Sequence, residues 1–104
     1  MNSRTKGIRT ELKAKKELEK DGWLVYRVPA SRMWQTQEDI MGLWDLLAIK
    51  PQQILFVQIK TNRKRNTIPH LEFMRKYFKF NNTVRAEVWV WRDYGRGFNK
   101  IGIK

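Results

Sequence analysis

The stretch GLWDLLAIKPQQILFVQIKTN, residues 42–62, constrains the fold of this chain more than any other. It contains two apolar runs joined by a Pro-Gln-Gln turn, a pattern that predicts a β-hairpin. If the turn pairs Lys50 with Gln53, the register places Asp45 opposite Gln58, on the same face. A loop of odd length without a bulge would put Asp45 on the other face, so the even loop decides what meets at this end of the hairpin.

Three polar side chains gather at that end. Phe56, Gln58 and Lys60 share one face of the second strand, because side chains in a strand alternate. The carboxylate of Asp45 and the amide oxygen of Gln58 are ligands that a hard cation such as Mg²⁺ prefers, and Lys60 can neutralise charge on a phosphate. The trio therefore suggests metal-assisted phosphodiester hydrolysis. Polar residues at a solvent-exposed strand end are also ordinary, so both interpretations stay open on these residues alone.

The first predicted helix adds a fourth polar residue. Residues 5–21 show helical spacing, with Ile8, Leu12 and Leu18 near one face. Glu11 follows Ile8 by three residues and precedes Leu18 by seven, so it faces the sheet with them. A buried carboxylate needs a metal or a cationic partner, because burying it bare is costly. An ion pair with a nearby Lys or Arg satisfies Glu11 equally well.

The remaining segments complete the predicted order α-β-β-β-α-β-β, an α/β domain with a mixed five-stranded sheet flanked by helices. Gly22 ends the first helix, Thr67 caps the second, and Pro69 suits its first turn. The second helix buries Leu71, Met74 and Phe78 on one face. The other predicted segments are strands at 23–29, 83–91 and 98–104, a loop at 30–41, a basic loop at 61–67 and a turn at 93–97.

Composition limits the class of protein. The 104 residues predict one domain, 1–104, and the absence of Cys excludes disulfides and thiolate metal sites. The single His70 cannot build a histidine zinc site, and we expect it to cap or pack within the second helix. No apolar run has membrane-spanning length and the N-terminus lacks a signal-like stretch, so we expect an intracellular, cytoplasmic chain without a membrane partner. The net charge of +12 favours a polyanion partner, by default nucleic acid.

Several motifs in order resemble the PD-(D/E)XK nucleases, most closely the archaeal Holliday junction resolvases. They cover roughly residues 6–65. The motifs are KGIRTE, with Gly7 and Glu11; the Gly-aromatic start of the first strand, GW; YRVPAS, ending at Ser31; GLWDLLAI; and ILFVQIKTNRK. The resemblance implies a restriction-endonuclease-like fold.

The resemblance also implies site residues and partners. It makes Asp45 the central metal ligand, Glu11 a ligand of the metal or its water, Lys60 the catalytic lysine, and Ser31 a group near the scissile phosphate. The backbone carbonyl of Ile59 would face the metal. Mg²⁺ is the implied cofactor, with Mn²⁺ as a substitute and no small-molecule cofactor. The implied protein is a homodimer that cuts opposed strands of a four-way DNA junction.

Two positions depart from the family pattern. Trp44 stands before the motif acid where the family usually has Pro, a residue that is not a ligand. Gln58 stands where the family usually has Glu or Asp, so the amide keeps an oxygen and loses the charge. Another acid nearby, Glu11, Glu38 or Asp39, could compensate for the lost charge. A restriction-type or replication and repair nuclease of the same fold, or an inactive nucleic-acid-binding relative, therefore remains an alternative.

Basic residues flank the predicted metal site on both sides. Such side chains would hold the phosphates around a cut, although a single surface Lys is more often a matter of solubility. Trp34, near them in the loop after the first strand, fits a core or a dimer interface better than a DNA contact. The predicted DNA-binding residues are Lys6, Arg9, Lys13, Ser31, Arg32, Arg63, Lys64 and Arg65.

Overall fold

The computed structural model describes residues 3–27, 40, 43–61, 67–79, 83–92 and 97–103, with side chains from residue 7 onward. Two helices and five strands follow in the predicted order, which confirms the α/β fold class. The elements are α1 (Ser3–Lys20), β1 (Leu24–Arg27), β2 (Leu46–Lys50), β3 (Gln53–Thr61), α2 (Ile68–Tyr77), β4 (Val84–Trp91) and β5 (Phe98–Ile103).

The five strands form one mixed sheet in the spatial order β1-β2-β3-β4-β5. β3 and β4 are parallel and joined through α2, and the other neighbours are antiparallel. Lys50 pairs with Gln53 across the β2–β3 turn, which confirms the predicted register. The turn brings Gln52 into the left-handed region with φ 61°, a conformation that residues with a Cβ rarely adopt.

Each face of the sheet carries one helix and its own apolar core. The face under α1 buries a core in which Ala14 and Leu18 meet alternate residues of the strands. The opposite face buries Trp44, Phe56 and Met74, with Met74 supplied by α2. β4 is buried on both faces, since Val88, Trp89 and Val90 are each at most 2% exposed.

The helix α1 ends at the residue that the sequence indicated. Gly22 has φ 94°, and its N–H donates to Glu19 while the N–H of Trp23 donates to the carbonyl of Leu18. These two bonds form a Schellman motif, which satisfies carbonyls that the helix end would leave unpaired. Leu18 and Trp23 then pack in the same core, so the motif also fixes where β1 begins.

Two helix predictions are wrong. Leu12 is 44% exposed, because it lies about 100° around α1 from Glu11 and so leaves the stripe centred on Ala14 and Leu18. Thr67 does precede α2, but its backbone is helical and its side chain makes no cap bond. Pro69 lies in the first turn as expected.

Met74 is buried as predicted, and Phe78, just after α2, packs partly buried against the same core, but His70 and not Leu71 completes the buried face of α2. This face is formed by His70 and Met74, whereas Leu71 and Phe78 are partly exposed. Neither helix in the described part of the chain has the length and apolar character needed to cross a bilayer.

Replacing Gln52 with Gly should raise the free energy of unfolding by about 0.5–1 kcal/mol. Glycine relieves the strain of a Cβ at positive φ, and the added freedom of the unfolded chain offsets only part of this gain. Chemical denaturation measures the change. Gln53→Gly, one residue later in β3, is the matched control and should be destabilising by a similar amount. A loss of stability in Gln52→Gly would contradict the left-handed turn.

Candidate active site

The strand register brings the predicted active-site segments to one end of the sheet. Arg27, the last residue of β1, pairs with Leu46, the first residue of β2, and Leu46 pairs with Val57 of β3. Asp45 precedes Leu46, and Gln58 follows Val57. The start of β2 and the end of β3 therefore meet beside the end of β1.

Asp45 is fixed to β3 on both sides of Gln58. Its N–H donates to the carbonyl of Val57 over 3.0 Å, and its Oδ2 accepts the N–H of Ile59 over 2.8 Å. Val57 thus faces both Asp45 and its register partner Leu46, the two-against-one pattern of a β-bulge. The carboxylate is only 8% exposed, and the bond from Ile59 offsets part of its desolvation cost.

Gln58, the residue between Val57 and Ile59, has a buried side-chain oxygen. Its Oε1 is inaccessible to solvent and accepts no hydrogen bond from any described residue. An unpaired buried acceptor costs free energy comparable to a lost hydrogen bond, so a cation or a water molecule is the natural partner. Gln58 and Lys60 lie on the sheet face of Phe56, under α2, and Lys60 is half-buried.

Glu11 lies on the other face of the same sheet end. Its Oε1 accepts a bond from Nε of Arg27 over 3.0 Å, and the two side chains are 16% and 15% exposed. This is the ion pair that the sequence allowed as an alternative to metal binding. The register puts Arg27 beside Leu46, directly after Asp45, so the pair borders the site. The ligand role of Glu11 stays a prediction.

Arg27 is the site residue that the sequence analysis missed. Its guanidinium is buried enough that Nη2 is inaccessible to solvent, and Nη2 makes no hydrogen bond to the rest of the described chain. A signal was present, because an Arg at the end of an apolar strand near a buried helix acid suggests a pair. The sequence alone did not give the packing of α1 that brings Glu11 to it.

The donor set fits a hard divalent cation, although with little charge. No three His, Cys, Asp or Glu side chains cluster as metal ligands within the described ranges. Asp45 and Gln58 offer oxygen atoms, as Mg²⁺ requires. The N–H and C=O of one strand residue point to the same side, so the carbonyl of Ile59 points toward Asp45, as its N–H does. The solvent-excluded, unpaired Oε1 of Gln58 is the observation that favours a cation here.

The predicted DNA contacts are only partly described. Arg9 and Lys13 are exposed on α1, and Nζ of Lys13 lies 4.3 Å from the ring centre of Trp91 at the end of β4. The side chain of Lys6 lies outside the described part of the chain. So do the following residues: Ser31, Arg32, Trp34, Glu38, Asp39, Arg63, Lys64 and Arg65.

Comparison with known proteins identifies a family and a structural relative. Residues 2–100 match the family model described as archaeal Holliday junction resolvase (Hjc). The fold resembles the 1.6 Å structure of Archaeoglobus fulgidus Hjc, a Holliday junction resolvase from an archaeal hyperthermophile. The TM-score is 0.64 at 17% identity, over 94% of this chain and 73% of that one. At this identity the structural likeness shows the fold. No curated protein matches the sequence.

The Glu11–Arg27 pair should show strong coupling in a double-mutant cycle of Glu11→Gln and Arg27→Met. We expect an interaction free energy of about 1–2 kcal/mol by denaturant unfolding, because each single change leaves a partly buried charge or donor without its partner. Lys15 and Glu19, an exposed pair on the same helix with 3.3 Å between Nζ and Oε2, are the matched control. Their coupling should be below about 0.5 kcal/mol. Equal coupling in both cycles would contradict a special role for Arg27.

Proposed function

The chain belongs to the archaeal Holliday junction resolvase family, and we propose on that basis that it is a DNA endonuclease that resolves four-way junctions. One observation connects this proposal with particular residues. Asp45 is bonded to the backbone on both sides of Gln58, at the sheet end where Lys60 follows two residues later. The family match supports the reaction, and this arrangement supports the residues that perform it.

The proposed reaction is hydrolysis of a DNA phosphodiester bond. Asp45, the amide oxygen of Gln58 and the carbonyl of Ile59 would hold Mg²⁺, or Mn²⁺ in its place. The bound ion supplies a Lewis acid for a phosphate oxygen and lowers the pKa of a water molecule. Glu11 would join through the ion or its water. Oε1 of Glu11 already accepts a bond from Nε of Arg27, so the ion or its water would be reached through the second oxygen or a second lone pair.

Lys60 and Ser31 have roles at the phosphate in this proposal. The ammonium of Lys60 would sit near the attacked phosphate and balance the negative charge that grows as the bond to the leaving oxygen breaks. Lys60 is half-buried, so its charge acts in a partly water-excluded site, where it is stronger than in bulk solvent. Ser31 would donate a hydrogen bond to the scissile phosphate.

Gln58 weakens the cation site without removing it. A carboxamide offers the same oxygen as a carboxylate but no net charge, so the site has one negative charge fewer than the usual family pattern. We propose that the protein therefore needs more Mg²⁺ for half-maximal cleavage. The same substitution favours one alternative, a relative that binds DNA junctions without cutting them, and the cleavage assay below decides between the two.

The outer face of α1 suits the DNA backbone because its positive charges are not neutralised. The acids of α1 and the residue after it pair elsewhere, in the ion pairs Glu11–Arg27, Glu17–Lys100, Glu19–Lys15 and Asp21–Lys50. These pairs leave an exposed row of cations spaced four, three and four residues apart, with no acid partner in the described structure. The row, called the α1 basic row, is Arg9, Lys13, Lys16 and Lys20.

Such a row matches a chain of phosphates. Residues spaced three or four apart on a helix lie on one face, about 6 Å apart along the axis per four residues, so several cations can face one strand. We propose that this face holds a duplex arm, together with Lys6, Arg32 and the basic residues 63–65. Contacts of this kind give affinity without sequence preference, which is what recognition of a branched shape requires.

Resolution of a four-way junction also requires two cuts on opposed strands. One chain offers one proposed active site, so we propose that two copies act together as a homodimer. Because the proposed substrate is DNA inside the cell, the proposed location is the cytoplasm.

Asp45→Asn and Lys60→Ala should each abolish cleavage of a synthetic four-way junction in Mg²⁺ or Mn²⁺ and change its Kd by less than about threefold. These residues act on the ion and on developing charge, whereas affinity comes mainly from phosphate contacts. Glu72→Gln and Lys76→Ala, exposed on α2, are charge-matched controls that should cleave normally. Wild-type protein that binds the junction and cuts no DNA would identify the inactive relative instead.

Gln58→Glu should lower the Mg²⁺ concentration for half-maximal cleavage, because it restores a charge with little change in shape. Gln58→Ala should raise that concentration, because it removes the oxygen. We expect shifts of about tenfold in each direction, the size of effect that a single metal-site residue typically has. A metal titration of the three proteins at fixed junction concentration measures it. Unchanged midpoints in both variants would exclude Gln58 as a ligand and favour Glu38 or Asp39.

Neutralising two members of the α1 basic row should lower the salt dependence of binding. For Arg9→Gln with Lys16→Gln, the slope of log Kd against log salt should fall by about two, since each lost phosphate contact removes roughly 0.9 from it. The same double change at Arg75 and Lys76 of α2 is the control and should leave the slope within about 0.5 of the wild-type value. Equal effects on both helices would mean that only total charge matters.

A further inference from the structure

We propose that His70 of α2 is a positioning residue for Asp45, acting through the two residues that precede the acid. This inference rests on the proposed function for its consequence in catalysis, but its structural content can be tested without any cleavage. The segment it holds, Leu43–Trp44, is called the β2 entry. In the usual family pattern the residue before the acid is a proline, and here it is Trp44.

His70 reaches the β2 entry directly from the second helix. It is 5% exposed, and its Nε2 lies 3.1 Å from the carbonyl oxygen of Leu43. A carbonyl only accepts, so Nε2 carries the proton in this bond. The bond joins positions 27 residues apart in the chain, which ties α2 to the start of β2. The ring of His70 also meets the ring of Trp44 edge-on, with centres 4.8 Å apart.

Trp44 is restrained by both its side chain and its backbone. Its side chain is 0% exposed and packs on Phe56 and Phe73, with ring centres 5.5 and 5.8 Å away. Its N–H donates to the carbonyl of Ile40 over 3.0 Å, and its own carbonyl accepts the N–H of Ile40 over 2.7 Å. Trp44 therefore cannot rotate without breaking these contacts.

This restraint supplies what a proline would supply covalently. Proline fixes its own φ near −65° through its ring. No ring fixes the φ angle of Trp44, so the path of the backbone leading to Asp45 depends on tertiary contacts at this position. His70 and the aromatic rings restrain the side that leads into Asp45, while Val57 and Ile59 bond to Asp45 itself. The carboxylate is held between the two sets of contacts.

If His70 only packed in the core, its loss would act like the loss of any other buried side chain of α2. Met74, one turn further along α2, is similarly buried at 7% and packs with Trp44 in the same core. No hydrogen bond joins it to the β2 entry in the described structure. Met74→Ala thus matches the loss of packing without the loss of the Leu43 bond, and serves as the control for stability.

The direct readout is hydrogen exchange of the Ile59 amide, which donates to Asp45. His70→Phe keeps a ring against Trp44 and loses the donor, and His70→Gln keeps a donor of similar reach and loses the ring. We expect Ile59 to exchange about tenfold faster in His70→Phe, relative to the slowest β4 amides, because its bond to Asp45 breaks more often. His70→Gln should exchange within about threefold of the wild-type rate.

The outcomes separate this inference from the proposed function. Met74→Ala should change Ile59 and the β4 amides in the same proportion, through global stability. Equal relative exchange of Ile59 in His70→Phe and Met74→Ala would overturn the inference, as would normal exchange in His70→Phe with fast exchange in His70→Gln. If the wild type cuts junctions, His70→Phe should also need about tenfold more Mg²⁺ than His70→Gln does. If it cuts none, the proposed function fails and the exchange rates still decide the role of His70.

Discussion

The hydrogen bond from the Ile59 amide to the Asp45 carboxylate organises the whole sheet end. A carboxylate that is 8% exposed is expensive to desolvate, and a charge-assisted bond over 2.8 Å offsets part of that cost. Asp45 and Leu46 both face Val57, and β2 begins only at Leu46. Beyond Val57, β3 is paired with β4 but not with β2, which leaves a gap in the pairing beside Gln58, Ile59 and Lys60. In the proposed function, this gap is where cation and phosphate meet.

Ion pairing also decides where the positive charge of the protein lies. The acids around α1 are bound by cations of the sheet or of the same helix, among them Arg27 and Lys100. The outer face of α1 therefore carries part of the net charge of +12 without an acid partner among the described residues, and the sequence places three more cations within residues 62–66. A polyanion that approaches this face meets little local repulsion, which favours fast and salt-dependent association.

The parts of the fold that follow from local pattern could be predicted from the sequence. The even turn at Pro51–Gln52 fixes the register of β2 against β3, and Gly22 supplies the positive φ that ends α1. The predictions that were wrong and the site residue that was missed depend on contacts between segments that are distant in the sequence. The Glu11–Arg27 pair requires the packing of α1 on β1. Whether Leu12 is buried depends on which face of α1 packs against the sheet.

The β2 entry is the clearest case of such distant dependence. No local pattern links His70 to a carbonyl 27 residues earlier, and the sequence suggested only that His70 caps or packs within its helix. Packing was correct, and the bond to Leu43 could not be foreseen. The aromatic cluster around Trp44 likewise joins the β2 entry to Phe56 of β3 and Phe73 of α2, which are separate elements of the chain.

In the proposed active site, Asp45 and Gln58 together bind a divalent cation although one of them carries no charge. Anomalous diffraction from crystals grown with Mn²⁺ tests it most directly, because the ion and its ligands are seen without assuming any activity. We expect one peak per chain, at about 2.0–2.3 Å from Asp45 and from Oε1 of Gln58. Crystals of Asp45→Asn should lack this peak. A peak that avoids Gln58, or no peak at a saturating Mn²⁺ concentration, would contradict it.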